Sequence, residues 1–194
     1  MNVMLVQGTW GWDDEWWRSA SPFALALTRA GHNIINGRPF IWDTELGGIG
    51  FGDDDLWGWD AAGRHLQDYL DPKDYPGHNQ PENLCIVAHS HARQVVKFAT
   101  HLGLKVGKVI YVSGPVRKDV DRLTTLSRAN IGHITTLHGG KHDRMQVFGG
   151  LFDGHWGINR DDPQADVAYV YKEADHSSFF KNPAHFSFVI DHIG

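Results

Sequence analysis

The sequence predicts an α/β fold in which a mainly parallel sheet of about six strands carries helices on both faces. Two observations predict it. Short, uninterrupted apolar runs, which are typical of strands buried on both sides, recur along the chain, and amphipathic helical segments separate most of them. Alternation of this kind indicates parallel pairing with helical crossovers. Because the 194 residues contain no linker and no repeat, we expect one domain spanning 1–194.

The first part of the chain supplies two strands and two helices. Strands are predicted over 3–6, which is an apolar run, and over 32–41, which begins after Gly31. Between them, a helix capped by Ser21 ends at Gly31. A second helix is predicted to begin with Asp60 as its N-cap.

The third strand, predicted over 84–87, leads directly into a helix that begins at Ala92. One face of this helix is apolar, and its polar side chains point away from that face: Arg93, Gln94, Lys97, Thr100 and His101. Ser90 therefore lies on the turn between a strand and a helix, at the carboxyl end of the sheet. The helix N-terminus is aimed at whatever binds there.

Three further strands, over 108–113, 131–137 and 167–171, complete the predicted six. A helix that Asp119 opens follows the first of these strands. Polar loops follow the other two strands. The sheet is therefore expected to end in several polar loops.

The segment Ala-His-Ser-His-Ala, from Ala88 to Ala92, resembles the nucleophile elbow of the α/β-hydrolase family. The family's usual pattern is Gly-x-Ser-x-Gly, and alanines replace both glycines here. The Ala-His-Ser start is similar to that of small bacterial lipases. The resemblance covers nearly the whole chain apart from 148–163. It implies a minimal α/β-hydrolase domain without a large lid and without the antiparallel N-terminal strand pair of larger members.

The resemblance also implies a catalytic triad. Ser90 corresponds to the nucleophile, and Asp143 lies on a glycine-containing loop after a late strand, where the family commonly carries its acid. His176 follows the last strand, as the family's catalytic histidine does. The order of serine, acid and histidine along the chain is that of this fold.

The loop after the first strand resembles the family's oxyanion loop. There the backbone N–H groups of Thr9 and His91 are implied to form the oxyanion hole, and Gln7 stands where the family more often has histidine. Trp10 is expected to bind substrate. Farther along, adjacent tryptophans at 16 and 17 are expected to pack the first helix onto the sheet.

Several residues compete for these roles. Asp119 is a second candidate for the acid, although the start of a helix also explains it. His185 and His192 are late enough in the chain to serve as the base, but neither directly follows an apolar strand. His89 and His91 flank the nucleophile, and their side chains are assigned no chemical role.

The predicted function is that of a cofactor-free serine hydrolase that cleaves carboxylic esters, with a small-molecule ester as its partner. A thioesterase or an amidase would use the same triad, and a non-catalytic binding protein on the same fold is an alternative from another class. The stretch 138–155 is rich enough in histidine and aspartate to suggest zinc. However, Gly139 and Gly140 interrupt the helical spacing of its histidines, so no metal site is expected.

Charge, hydropathy and cysteine content argue against several other classes of protein. A formal charge of −5 with no basic cluster argues against a nucleic-acid partner. No apolar stretch approaches the ~20 residues that span a bilayer, and no signal-like segment is present, so a cytoplasmic protein is expected. The single cysteine, Cys85, rules out an internal disulfide and is predicted to be a core residue. The oligomeric state is not predicted.

Overall fold

A computed structural model of the chain describes residues 1–8, 15–35, 40, 42, 58–70, 80–116, 124–140, 143–145 and 162–194. Its centre is one sheet of six strands: β1 (Asn2–Val6), β2 (Asn33–Ile34), β3 (Leu84–His89), β4 (Val106–Val112), β5 (Ile131–Gly139) and β6 (Val167–Tyr171). The strands lie in the order β2-β1-β3-β4-β5-β6, and every neighbouring pair is parallel. The predicted six-stranded parallel sheet is therefore confirmed.

The helices in the described part of the chain differ greatly in length. They are α1 (Pro22–Arg29), α2 (Trp59–Tyr69), α3 (Ala92–His101), α4 (Thr124–Ala129), α5 (Ser178–Lys181) and α6 (Ser187–Ile190). Within the residues described, no helix combines the length and apolar character needed to cross a bilayer.

Alternate residues of the strands contribute to two apolar clusters, one on each face of the sheet. In β1, Val3 and Leu5 belong to the cluster that contains α1 and the C-terminal helices. Met4 and Val6 belong to the cluster that contains α2 and α3. Because side chains alternate along a strand, this division means that helices cover both faces, as predicted.

Helix α1 begins and ends as the sequence predicts. The Ser21 hydroxyl accepts a hydrogen bond from the N–H of Ala24 (3.0 Å), and Pro22 occupies the first turn. Such a cap stabilises a helix by about 1 kcal/mol. The chain leaves the helix through Gly31, whose φ of 87° lies in the left-handed region that favours glycine.

The polar face of α3 differs from the prediction. Four of the side chains expected to point away from the protein are buried: Arg93, Gln94, Lys97 and Thr100. The Gln94 amide donates to the carbonyl of Pro115 (2.9 Å). The Thr100 hydroxyl lies 2.6 Å from that of Ser127 on α4, which packs against α3. A polar residue can be buried wherever it finds a hydrogen-bond partner, so polarity alone could not place this face.

Two element boundaries also differ from the prediction. Helix α2 begins one residue before Asp60, with Gly58 as its N-cap at a φ of 71°. Asp60 lies instead in the first turn, where a carboxylate still interacts favourably with the helix dipole. The strand expected over 32–41 is paired at 33–34 and again at one isolated bridge between Val6 and Phe40. Residues 36–39 and 41 lie outside the described part of the chain.

The strand order creates a crevice at one point of the sheet. From β1 the chain moves outward to β2, whereas from β3 it moves in the opposite direction to β4. In open parallel sheets, ligands bind at the carboxyl ends of the strands where the order reverses in this way. Gly8 follows β1 and Ser90 follows β3, so both lie at this crevice.

Candidate active site

Ser90 has an unusual backbone conformation. Its φ is 53°, in the left-handed region that residues with a Cβ atom rarely adopt. The Ser90 N–H donates to the carbonyl of Val112 (2.9 Å), and the Ser90 carbonyl accepts from the N–H of Arg93 (3.2 Å). Ala88 and Ala92, two positions before and after it, are fully buried. The serine thus lies on a tight, strained turn between β3 and α3.

The chain after β1 passes directly beside this turn. A Cβ atom on Gly8 would lie 2.6 Å from the Cβ of Ser90 and 2.9 Å from the carbonyl oxygen of His89. Only glycine allows so close an approach. The indole N–H of Trp42 donates to the Gln7 carbonyl (2.9 Å) and anchors the segment. The two residues that follow Gly8, expected to supply an oxyanion N–H and a substrate contact, lie outside the described residues.

The contact at Gly8 leads to a first prediction. We expect Gly8→Ala to lower kcat/KM for an ester by about 10²-fold or more, because the added methyl group displaces Ser90, and misplacement by about 1 Å can cost that much. Steady-state hydrolysis of p-nitrophenyl acetate measures the effect.

Gly107→Ala is the matched control for Gly8→Ala. Its Cβ would lie 2.5 Å from the carbonyl oxygen of Glu82, at the opposite end of the sheet. We expect this variant to lose thermal stability while its folded fraction keeps wild-type turnover. Equal activity losses in the two variants would show that Gly8 acts through stability alone.

Asp143 and His176 are hydrogen-bonded. The Nδ1 atom of His176 lies 3.0 Å from Oδ1 and 3.3 Å from Oδ2 of Asp143. The carboxylate is only 1% exposed, whereas 17% of the histidine side chain is exposed. A carboxylate only accepts, so Nδ1 carries the proton, and Nε2 is then the acceptor nitrogen of the neutral ring.

Two glycines allow the loops of Asp143 and His176 to approach each other. A Cβ atom on Gly139, the last residue of β5, would lie 2.6 Å from the carbonyl oxygen of Ala174. The N–H of Gly140 donates to the carbonyl of Tyr171 (3.1 Å), and the Gly140 carbonyl accepts from the N–H of Asp143. These backbone contacts fix the carboxylate beside the imidazole before any substrate binds.

The two histidines that flank Ser90 have different surroundings. The His91 ring stacks on Trp59 of α2, with ring centroids 5.5 Å apart. The His89 ring is almost fully buried, and its Nε2 lies 2.8 Å from the carbonyl oxygen of His176. The second contact connects the turn of Ser90 to the loop of His176, and sequence reasoning missed it because it assigned His89 no role.

Within the described residues, Ser90 Oγ and His176 are not joined by a hydrogen bond. Catalytic hydrogen bonds are often long without substrate and shorten when the substrate binds. The structure therefore brings Asp143 and His176 into direct contact, and it joins the residue before Ser90 to the main chain of His176.

The competing histidines have partners elsewhere. His185 contacts the Ser178 hydroxyl (3.1 Å), and His192 contacts the Tyr171 hydroxyl (3.0 Å). The rival acid, Asp119, lies outside the described residues, as do three members of the histidine- and aspartate-rich stretch at 142, 153 and 155. In the described ranges, no group of three or more histidine, cysteine, aspartate or glutamate side chains is arranged to hold a metal ion.

Comparison with known proteins bears on the fold. Neither a protein-family model nor a curated protein matches the chain. Among solved structures, a single-residue variant of Arabidopsis thaliana SOBER1 is 13% identical, with a TM-score of 0.56, over 100% of this chain and 98% of that one. SOBER1 itself is 12% identical, with a TM-score of 0.55, over 100% and 97%. The chain has an α/β-hydrolase fold. At this level of identity the likeness extends to the fold alone.

A cavity of about 520 Å³ opens beside His176 in this α/β-hydrolase fold. Cavities of such a size accommodate small organic ligands. Arg144, Met145 and Lys181 contribute to its wall, so it offers both cationic and apolar contacts. A substrate that occupied it would have part of its structure next to the imidazole.

A buried ion pair lies beneath the site. Arg93 Nη2 and Asp162 Oδ2 are 2.5 Å apart, and both side chains are at most 1% exposed. The guanidinium lies 4.6 Å from the centre of the Tyr111 ring, and burial raises the pKa of that phenol. Because Arg93 is three residues after Ser90 and Asp162 precedes β6, the pair connects α3 to the strand that leads to His176. Removing one partner of such a pair costs about 3–5 kcal/mol.

Because two histidines are buried, we expect the fold to lose stability in acid. Burial lowers the pKa of His89 to about 3 and that of His138 to about 4. Below the ordinary value of 6.5 the unfolded chain binds protons that the native protein does not, so stability is full above that value and falls as the pH decreases. Between pH 8 and pH 5 each histidine lowers the free energy of unfolding by about 2 kcal/mol. Urea unfolding at the two pH values measures the loss.

His138→Gln should reduce this pH dependence, because it removes one of the two groups. His65→Gln is the control, since the His65 side chain on α2 is exposed. The explanation is wrong if the wild-type free energy of unfolding is the same at pH 8 and pH 5.

Proposed function

We propose that the protein is a serine hydrolase that cleaves carboxylic esters of small molecules, in the cytosol, without a cofactor. Ser90 is the proposed nucleophile, His176 the general base and Asp143 the orienting acid. The backbone N–H groups of Thr9 and His91 are the proposed oxyanion donors. The observation that carries the proposal is the hydrogen bond between buried Asp143 and His176, on the same sheet edge as Ser90.

The proposed reaction follows from these roles. The Ser90 hydroxyl attacks the acyl carbon while His176 Nε2 accepts its proton, and the resulting oxyanion accepts hydrogen bonds from the two backbone N–H groups. The C–O bond to the alcohol then breaks, and His176 returns the proton to the departing oxygen. Water attacks the acyl-serine by the same steps in reverse. Asp143 holds the imidazole tautomer throughout and stabilises the imidazolium.

Other features of the chain are consistent with this reading. The positive φ of Ser90 places this serine on a sharp turn between a strand and a helix, which is the feature that the elbow of this fold requires. Gly8 leaves room for its own backbone to lie beside the proposed nucleophile, where an oxyanion donor is needed. The α/β-hydrolase fold itself supports hydrolysis only as an analogy.

Labelling with a fluorophosphonate probe tests both whether the protein is a serine hydrolase and which serine is its nucleophile. We expect the folded protein to form one covalent adduct, which peptide mass spectrometry maps to Ser90, and the heat-denatured protein to form none. An adduct on another serine would reassign the nucleophile. Absence of labelling by the folded protein would contradict the proposal and favour a binding protein on this fold.

The same triad can cleave thioesters and amides, so the bond cleaved needs its own measurement. We expect kcat/KM to be highest for p-nitrophenyl acetate when it is compared with an acetyl thioester and an acetyl anilide. A thioester preferred over the oxygen ester would identify a thioesterase.

A further inference from the structure

His89, the residue before the proposed nucleophile, contacts the main chain of the proposed base. Its Nε2 lies 2.8 Å from the carbonyl oxygen of His176. A carbonyl oxygen only accepts hydrogen bonds, so Nε2 is the protonated nitrogen and donates. The last residue of β3 is thereby joined directly to the loop between β6 and α5, 87 residues later in the chain.

The ring of His89 is held on several sides. Trp16 and Phe180 contact it edge to face, with centroids 5.9 and 5.4 Å away, and these two rings stack on each other at 3.8 Å. The His176 ring lies 4.8 Å away. With so little freedom, His89 keeps its Nε2 directed at one carbonyl oxygen.

The other ring nitrogen, Nδ1, lies near Gly8. A Cβ atom on Gly8 would lie 3.4 Å from it. One imidazole therefore lies between Gly8 and the loop of the proposed base, and it is bonded through the chain to Ser90. Burial also keeps this ring neutral, because it lowers the pKa of His89 to about 3. The Nε2 donor is thus retained over the whole pH range in which a serine hydrolase works.

We propose that His89 is a positioning residue, which fixes the main chain at His176 and so sets the distance from the imidazole to Ser90. The inference rests on the proposed function above. Asp143 restrains the rotation of the His176 ring through Nδ1, whereas His89 bonds the main chain of the same residue. The hydrogen bond from His89 supplies that second restraint, from the residue adjacent to the nucleophile.

Two amide substitutions at position 89 separate the hydrogen bond from the packing. The side-chain nitrogen of glutamine reaches the position of histidine Nε2, whereas that of asparagine reaches only the position of Nδ1. His89→Gln can therefore donate to the His176 carbonyl, and His89→Asn cannot. Both variants introduce the same chemical group and both reduce the packing against Trp16.

We expect His89→Asn to lower kcat for p-nitrophenyl acetate by about 10- to 100-fold with KM changed less than about threefold, since a small misplacement of the base affects the transition state more than substrate binding. We expect His89→Gln to recover most of that loss. Melting temperatures of both variants are measured alongside, and His89→Leu replaces His89→Asn if the latter does not fold.

Two outcomes would overturn the inference: a folded His89→Asn with wild-type kcat, or equal losses of kcat in both amide variants at similar melting temperatures. The second outcome would mean that packing of the ring matters and its hydrogen bond does not. The proposed function is tested separately, by fluorophosphonate labelling of the wild-type protein at Ser90. A negative result in that test can therefore be distinguished from evidence against the positioning role of His89.

Discussion

Ser90→Ala is expected to lower ester turnover by about 10³-fold or more and to abolish fluorophosphonate labelling. In the proposed reaction the hydroxyl oxygen of Ser90 becomes acylated, and alanine lacks that atom. The fold should remain intact, because alanine is smaller than serine and fits the same tight turn. Hydrolysis of p-nitrophenyl acetate, with circular dichroism to verify folding, measures both parts of the expectation.

Ser113→Ala is the matched control. Ser113 is also a buried serine at the end of a strand, and its φ of 50° is close to the 53° of Ser90. Ser113→Ala removes a hydroxyl from a residue with the same backbone strain and leaves the proposed nucleophile in place. Ester turnover and fluorophosphonate labelling should therefore persist. Ester turnover by Ser90→Ala at more than about 10% of the wild-type rate would remove Ser90 from the mechanism.

Asp143→Asn should produce the second large effect, a loss of about 10⁴-fold in kcat. An asparagine amide can donate a hydrogen bond to Nδ1, which favours the imidazole tautomer with its proton on Nε2. That tautomer cannot accept the proton of Ser90. The side chain is only 1% exposed, so solvent cannot restore the correct arrangement. Stopped-flow acylation at pH 8 gives the rate directly.

Asp119→Asn is the comparison that separates the two acids suggested by the sequence. Asparagine caps a helix about as well as aspartate does, so turnover should stay near that of the wild type and stability should change by less than about 1 kcal/mol. If Asp119→Asn proves inactive and Asp143→Asn active, the acid follows β4, and the contact between Asp143 and His176 is structural.

The strands were the most predictable part of the molecule. Runs such as Leu84–His89 are buried on both faces, so apolar continuity alone located them. The polar face of α3 could not be located in the same way. Arg93 is buried through a partner 69 residues away, Asp162, and no local pattern contains that information.

The candidate site was also predictable only in part: the sequence located residues that follow strands, but not the contacts between distant loops. Asp143 and His176 could be proposed because each follows a late strand, where the resemblance to the α/β-hydrolase family places an acid and a histidine, and the structure joins the two by a hydrogen bond of 3.0 Å. The contact of His89 with the His176 carbonyl could not be predicted, because it depends on how two distant loops pack. The close approach of Gly8 to Ser90 depends on strand order, which the sequence did not specify.

The single cysteine gives this chain a built-in reporter of its own unfolding. Cys85 is fully buried in β3, the strand that ends at Ser90, and burial raises the pKa of its thiol to about 12. A thiol reagent can modify it only after the centre of the sheet has opened, so the modification rate under native conditions follows the population of globally opened molecules. In each inactive variant described above, a wild-type rate of thiol modification would therefore assign the lost activity to chemistry instead of to loss of the fold.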